Sequence, residues 1–142
     1  MNSVSKTSFN DSPEDPEPYE LTPEGQQILE AAQALRRRLA EFAQAEQKGV
    51  VSIESHNGKI GDMVSVMRKS GFDMLYIDDL LDELEDISER GCRAFELHFF
   101  AGLQPDLIAK LMQVPERLAT RDVAVSKAWL LERLKQLADA RG

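Results

Sequence analysis

The last third of the chain carries the pattern that most constrains its fold: a helix ending at a glycine, a short helix, a tight turn and a long helix. The first helix runs into Phe99-Phe100-Ala101-Gly102, the short helix begins near Pro105, and an amphipathic stretch continues from Pro115 to Leu137. Glycine favours a helix C-terminus, and proline suits a first turn because its missing N–H has no partner there. This order predicts a helix-turn-helix, a motif whose second helix commonly enters the major groove of DNA.

Composition limits the class of protein. The 142 residues suffice for one ordinary domain, and an apolar content of 42% is enough for a core. The single cysteine, Cys92, cannot form an internal disulfide, which fits a reducing compartment. No apolar run approaches the ~20 residues that a membrane span requires, and the polar, acidic N-terminus does not resemble a secretory signal. We therefore expect a soluble, cytoplasmic protein that does not contact a membrane.

Composition also divides the chain into three regions. Residues 1–22 are rich in proline and acidic side chains and predict a flexible tail, because such a segment buries too little apolar surface to order itself. Residues 23–70 predict a helical N-terminal region, and residues 71–142 hold the predicted helix-turn-helix domain. The expected fold is all-α: a helical bundle with a C-terminal helix-turn-helix.

The N-terminal region should begin with a long helix. Thr22 is a candidate N-cap, and Pro23 suits the first helical position. Apolar residues then recur at helical spacing to about Gln47. The run Arg36-Arg37-Arg38 interrupts the polar face of this helix, where it either touches nucleic acid or, as is commoner, is simply solvated.

Residues 48–58 allow two interpretations. The apolar residues of Val50–Ile53 favour a short strand, whereas His56-Asn57-Gly58 favours a turn. A short helix is expected to follow and to stop near Gly71. Further on, Ser88 is a candidate N-cap for the helix that leads to Phe100.

The net charge of -8 is unevenly distributed. Residues 71–90 contain one arginine and eight acids, mostly on a predicted helix over residues 73–89, whereas residues 91–142 contain eight basic and six acidic groups. DNA phosphates bind clustered basic groups, so this acidic neighbour would repel DNA unless it is held away from it. The acidic helix 73–89 is also a possible docking surface for a protein regulator.

Asp78, Asp82 and Glu85 lie on one face of that acidic helix. Carboxylates at this spacing can bind a divalent metal or act in catalysis. No histidine or cysteine joins them, and a solvated polar face accounts for them. The chain also lacks a glycine-rich phosphate loop and a nucleophile elbow. We therefore predict no catalytic residue, no metal site and no cofactor.

Four blocks of the C-terminal half carry a family resemblance. They are Glu96-Leu97-His98-Phe99-Phe100-Ala101-Gly102-Leu103, the Ile108–Met112 helix, Arg121-Asp122 and Lys127-Ala128-Trp129-Leu130. At these spacings they resemble region 4 of the sigma-70 family, extracytoplasmic-function sigma factors in particular, over roughly residues 77–137. The resemblance implies an all-helical domain whose second motif helix reads the promoter -35 element. It also implies that another face binds the flap of RNA polymerase, so core RNA polymerase and promoter DNA are the expected partners.

The sequence departs from that family pattern around the turn. Gln113 stands where family members usually have glycine, and a left-handed backbone there would cost about 1 kcal/mol, so the turn is expected to differ. Pro115 replaces the family's serine N-cap and removes a side-chain acceptor. Leu118, Ala119 and Thr120 replace Thr, Val and Lys, so a hydroxyl and a cation are expected to be missing from the DNA-facing surface.

Four residues remain as candidate DNA contacts. They are Arg117, Thr120, Arg121 and Lys127. Glu116 and Asp122 offset part of their charge, which predicts weak binding to promoter DNA by the chain alone. Trp129 lies beside two leucines and is expected to anchor the core rather than stack on bases.

A promoter-opening segment has no recognisable counterpart in residues 1–70, where exposed aromatic residues would be needed to capture flipped bases. Two functions therefore stay open. The first is a DNA-binding transcription factor that associates with RNA polymerase and -35 DNA. The alternative is a degenerate sigma-like interaction module that regulates RNA polymerase or a sigma factor without reading DNA.

Overall fold

The computed structural model describes residues 17–49 and 58–141. Within these ranges the chain forms six helices and no strand, which confirms the all-α prediction. The helices are α1 (Pro23–Gln47), α2 (Gly58–Lys69), α3 (Met74–Ile87), α4 (Glu89–Phe99), α5 (Pro105–Met112) and α6 (Glu116–Arg141). The strand considered for residues 50–53 lies outside the described residues. In the described ranges, no helix combines the length and the apolarity that a membrane crossing requires.

Two helix starts agree with the predicted caps. The Thr22 hydroxyl accepts a hydrogen bond from the Gly25 N–H at 2.9 Å, and the Ser88 hydroxyl accepts one from the Gly91 N–H, also at 2.9 Å. Each cap satisfies an N–H that a first helical turn leaves without a partner. Beyond the end of α4, Gly102 has a φ of 75°, a left-handed conformation that favours glycine.

Helix α1 connects the two apolar clusters of the bundle. Leu39 belongs to the first cluster, which includes Phe95 and is also contacted by Trp129, as predicted for a core anchor. Leu29, about three helical turns earlier on α1, belongs to the second cluster. The second cluster consists of Leu29, Ala94, Leu97, Ile108, Ala109, Met112, Ala119 and Val123. A single helix of the N-terminal region therefore packs against both parts of the C-terminal region.

The segment 17–22 corrects the prediction of a flexible tail over residues 1–22, while residues 1–16 lie outside the described ranges. The Thr22 and Glu20 N–H groups donate to the carbonyls of Leu111 and Met112 at the end of α5, at 2.9 and 3.2 Å. Tyr19 and Leu21 of the same segment pack against the second cluster. Backbone hydrogen bonds and apolar contacts thus fix a segment whose composition indicates disorder.

Arg36 corrects the expectation that the three consecutive arginines are solvated. Its side chain is only 9% exposed and lies 2.7 Å from Asp78, 2.7 Å from Asp82 and 2.8 Å from Glu96, which is fully buried. Burial alone would lower the pKa of Arg36, but hydrogen bonds to the three carboxylates outweigh it and raise the pKa. Arg37 and Arg38 are exposed, as expected for surface arginines. The network joins α1 to α3 and α4.

Candidate nucleic-acid interface

The four predicted DNA contacts lie on one face of α6. Arg117, Thr120, Arg121 and Lys127 follow the helical spacing i, i+3, i+4 and i+10, and Ala124 lies between them. All are exposed except Arg121, which is half-buried. We call these five residues the outer face of α6. The structure therefore places the sequence-predicted residues on one face of the first half of the long helix, where all but Arg121 are exposed.

The opposite face of α6 packs into the bundle. Leu118 and Ala119 are 2% and 1% exposed, and Val123 continues this buried face. The expectation that Leu118 deprives the DNA-facing surface of a hydroxyl is therefore wrong, because its side chain is buried in the core. Of the three departures in this stretch, only Thr120 changes the outer face.

The turn between α5 and α6 keeps a left-handed residue in spite of the missing glycine. Gln113 has φ 57° and ψ 48°, so the expected change of turn conformation is not observed. The N–H groups of Gln113 and Val114 both donate to the Ala109 carbonyl, the second at 3.0 Å. The Gln113 side chain donates to the Glu20 carbonyl at 2.8 Å. These contacts hold the strained residue in place.

Pro115 lies at the start of α6 and still supports the first turn. Its carbonyl accepts from the N–H groups of Leu118 and Ala119 at 3.0 and 3.2 Å. A proline has no side-chain acceptor, so this helix begins through backbone hydrogen bonds of its own. Glu116 follows in the first turn, where a negative charge is favourable beside the helix N-terminus.

Asp122, one of the two acids expected to offset the charge of the outer face, is neutralised inside the protein. Asp122 receives two hydrogen bonds from the Arg90 guanidinium, at 2.6 and 2.9 Å, and both side chains are 3% exposed. Arg121 also lies near Asp122, with 3.8 Å between the guanidinium and the carboxylate. Because Arg90 already compensates Asp122, this carboxylate cancels little of the positive potential on the outer face.

The acidic helix α3 is compensated in the same way. Arg36 binds Asp78 and Asp82, and an Arg93 guanidinium nitrogen lies 2.5 Å from Glu85. The carboxylates of Asp78, Asp79 and Asp82 lie within 4.8 Å of one another, but the Arg36 guanidinium already occupies two of them. The negative charge that should repel DNA is therefore partly screened by arginines of the same chain.

Comparison with known proteins supports the sequence resemblance and extends it. A protein-family model described as ECF sigma factor matches residues 25–136. That range begins in the first turn of α1 and ends near the end of α6, so it covers residues before 77 that showed no recognisable likeness. No curated protein and no solved structure gave a match.

Proposed function

This chain belongs to the ECF sigma factor family, and on that premise we propose that it is a DNA-binding transcription regulator that associates with core RNA polymerase. In this proposal α5, the turn and α6 form a helix-turn-helix, and the outer face of α6 contacts promoter -35 DNA. The observation that carries the proposal is that three exposed residues, Arg117, Thr120 and Lys127, share one helix face with the half-buried Arg121.

The dimensions of the outer face suit a DNA groove. At ~1.5 Å per residue, the ten residues from Arg117 to Lys127 span about 15 Å, and the major groove is ~12 Å wide. The two terminal cations can therefore reach phosphates on opposite edges of the groove. Arg121 and the Thr120 hydroxyl, between them, then face base edges or the sugar–phosphate backbone. Three cations give a small electrostatic contribution, so binding by the isolated chain should be weak and sensitive to salt.

The test compares two variants that each remove two positive charges. In Arg117→Ala/Lys127→Ala both substituted residues are exposed, so the fold is expected to persist. In the matched control, Arg37→Ala/Arg38→Ala, two exposed cations are lost from α1 instead. Fluorescence anisotropy with a labelled mixed-sequence duplex, at a series of salt concentrations, measures binding. We expect the α6 variant to bind more weakly and to reduce the salt slope by about 2, since each lost phosphate contact lowers it by ~0.9.

Equal loss in both double variants would mean that only net charge matters, and it would contradict a role for the outer face. No binding by the unmodified chain, even at low salt, would contradict DNA contact altogether. A parallel pull-down with core RNA polymerase then separates the two functions that the sequence left open, because the interaction module would bind polymerase without binding DNA.

One observation favours the interaction module as a second candidate. An apolar groove of about 310 Å³ lies between α1, α2 and the end of α4, lined by residues that include Leu35, Met63, Val66 and Phe100. Val66 and Met63, which both line this groove, are 62% and 38% exposed, so two large apolar side chains lie open to solvent side by side with the groove. This groove is a better docking surface than the acidic helix 73–89, because much of the charge on that helix is already paired within the chain.

A further inference from the structure

The 17–22 segment completes the end of α5. A helix leaves its last carbonyls without intrahelical partners, and α5 has only eight residues, so these groups weigh heavily in its stability. The carbonyls of Leu111 and Met112 instead accept from Thr22 and Glu20, about ninety positions earlier in the chain. The C-terminal end of α5 is thus capped by a segment that lies outside the helix-turn-helix.

The same segment holds the strained residue of the turn. The Glu20 carbonyl accepts from the Gln113 side chain at 2.8 Å, so the 17–22 segment contacts both Met112 and the left-handed residue after it. A non-glycine residue in this conformation costs about 1 kcal/mol, which the surrounding contacts must offset. The turn therefore depends on the 17–22 segment for part of its conformation.

The attachment of this segment has two further anchors. At its start, the Glu17 carbonyl accepts from Arg90 at 2.7 Å, and Arg90 is the residue that pairs with Asp122 of α6. At its end, Thr22 caps α1, whose first turn passes close to α5. A Cβ added at Gly25 would lie 3.1 Å from the Leu111 carbonyl oxygen, closer than most real contacts. The segment is therefore tied directly to α1, α4 and α5, and through Arg90 and Asp122 it is connected to α6.

We propose that the 17–22 segment is a strap that positions the recognition helix, and that Gln113, in the turn that this strap contacts, is a positioning residue. The inference rests on the proposed DNA-binding function, since its predicted effect is a change in the DNA affinity of the outer face of α6. By fixing the end of α5 and the turn, the strap sets the direction in which α6 leaves the turn. DNA affinity then depends on residues that do not touch DNA. A partner that captures the 17–22 segment would lower DNA binding without covering α6.

The test shortens the strap and then adds a substitution that lets the turn keep its conformation without the strap. Deleting residues 2–21 takes away all of the strap except Thr22, which stays as the cap of α1. In this shortened protein we expect amide hydrogen exchange at Gln113–Ala119 to accelerate by about tenfold, and affinity for the mixed-sequence duplex at low salt to fall by a similar factor. Amides of α4 should keep most of their protection. Adding Gln113→Gly, which tolerates the left-handed conformation without help, should restore most of both properties.

A matched control separates positioning from general stability. Gly58→Ala adds a methyl group at the start of α2, where no atom of the described residues lies within 4 Å, and should stabilise the helix without touching the turn. If Gly58→Ala rescues the shortened protein as well as Gln113→Gly does, the strap acts only through global stability and the proposal is overturned. Unchanged exchange and affinity after the deletion would overturn it equally.

A second variant covers the case in which the shortened protein does not fold. Gly25→Ala in the full chain should push the first turn of α1 away from Leu111 and give the same local increase in exchange, again reversed by Gln113→Gly. Protected turn amides in this variant would contradict the strap. If the unmodified chain fails to bind the duplex, the proposed DNA function is lost, but the exchange data still decide whether the strap holds the turn.

Discussion

At the scale of single residues, Arg36 shows what helical periodicity can and cannot reveal. The spacing of Leu29, Ala32, Leu35 and Leu39 predicts the apolar face of α1, and these side chains are buried or half-buried in the structure. Arg36 lies on the edge of that face. Its burial is stable only because Asp78 and Glu96, 42 and 60 residues away, meet it there. A pairing over that distance cannot be inferred from one sequence, so a solvated arginine was the natural expectation.

Leu118 and Ala119 illustrate the opposite case. Comparison with the family pattern predicts a hydroxyl lost from the DNA-facing surface at Leu118, yet Leu118 and Ala119 share a helical face with Val123 and are buried with it. Periodicity on α6 alone would have placed them in the core. The residues Arg117 and Lys127 were placed on the exposed face, where the structure also has them.

The ion pair at Arg36 leads to a stability prediction. Arg36→Met removes the shortest ion pair of the fully buried Glu96, which keeps its ion pair with Arg93 at 3.2 Å. The loss of this charged hydrogen bond should lower the free energy of unfolding by roughly 1.5–3 kcal/mol. Arg38→Met, at an exposed position of the same helix, should change it by less than about 0.5 kcal/mol. Urea denaturation followed by circular dichroism measures both. The double variant Arg36→Met/Glu96→Gln should lose less than the sum of the single losses, and strict additivity would show that the two side chains are not coupled.

At the scale of secondary-structure elements, interactions between residues close in the sequence can be predicted, whereas interactions between distant residues cannot. The caps Thr22 and Ser88 could be predicted because each acts on an N–H three residues away. The 17–22 segment was missed because its partners on α5 are about ninety residues distant, and proline-rich acidic composition argues for disorder. The apolar side chains of Tyr19 and Leu21, directly before the cap, were the available signal that this stretch packs on something.

Tyr19 gives the docked segment a measurable pH dependence. Burial, together with the neighbouring Glu89 carboxylate, raises the pKa of Tyr19 from 10.0 to about 12. A raised pKa in the folded state means that the neutral phenol is favoured there, so its stabilisation is complete below pH 10 and is lost as the pH rises towards 12. We expect Tyr19→Phe to lose stability less steeply than the unmodified protein over this interval in thermal unfolding. Identical slopes would mean that the phenol is as solvated in the folded protein as in the unfolded chain.

At the scale of the whole molecule, α1 unites regions that composition separates. Residues 23–70 and 71–142 were expected as distinct regions, a division that stays a prediction. The contacts argue for coupling, because α1 contributes Leu39 to the first cluster and Leu29 to the second, and Arg36 to the ion pairs between them. The family match starting at residue 25 is consistent with a unit that includes α1. Composition detects changes along the chain, whereas contacts across it appear only in the structure.

Cys92 provides a reporter for that coupling. It is the single cysteine of the chain, it is fully buried in the first cluster, and its thiol lies 3.5 Å from the Leu81 carbonyl oxygen. Burial raises the pKa of this thiol, so in the folded protein it is both inaccessible and protonated, whereas thiol reagents require an exposed thiolate. Labelling at neutral pH should therefore occur only after opening of the bundle, at a rate well below that of the urea-denatured protein.

If α1 and the C-terminal helices unfold as one unit, the loss of Cys92 protection and the loss of helical circular dichroism should share one midpoint in urea. Arg36→Met, which acts from α1, should then accelerate labelling of Cys92 on α4 in proportion to its loss of stability, because opening of the whole bundle limits the reaction. Arg38→Met should leave the labelling rate unchanged. Two separate circular-dichroism transitions, or labelling that is insensitive to Arg36→Met, would instead show that the C-terminal helices keep their core without α1.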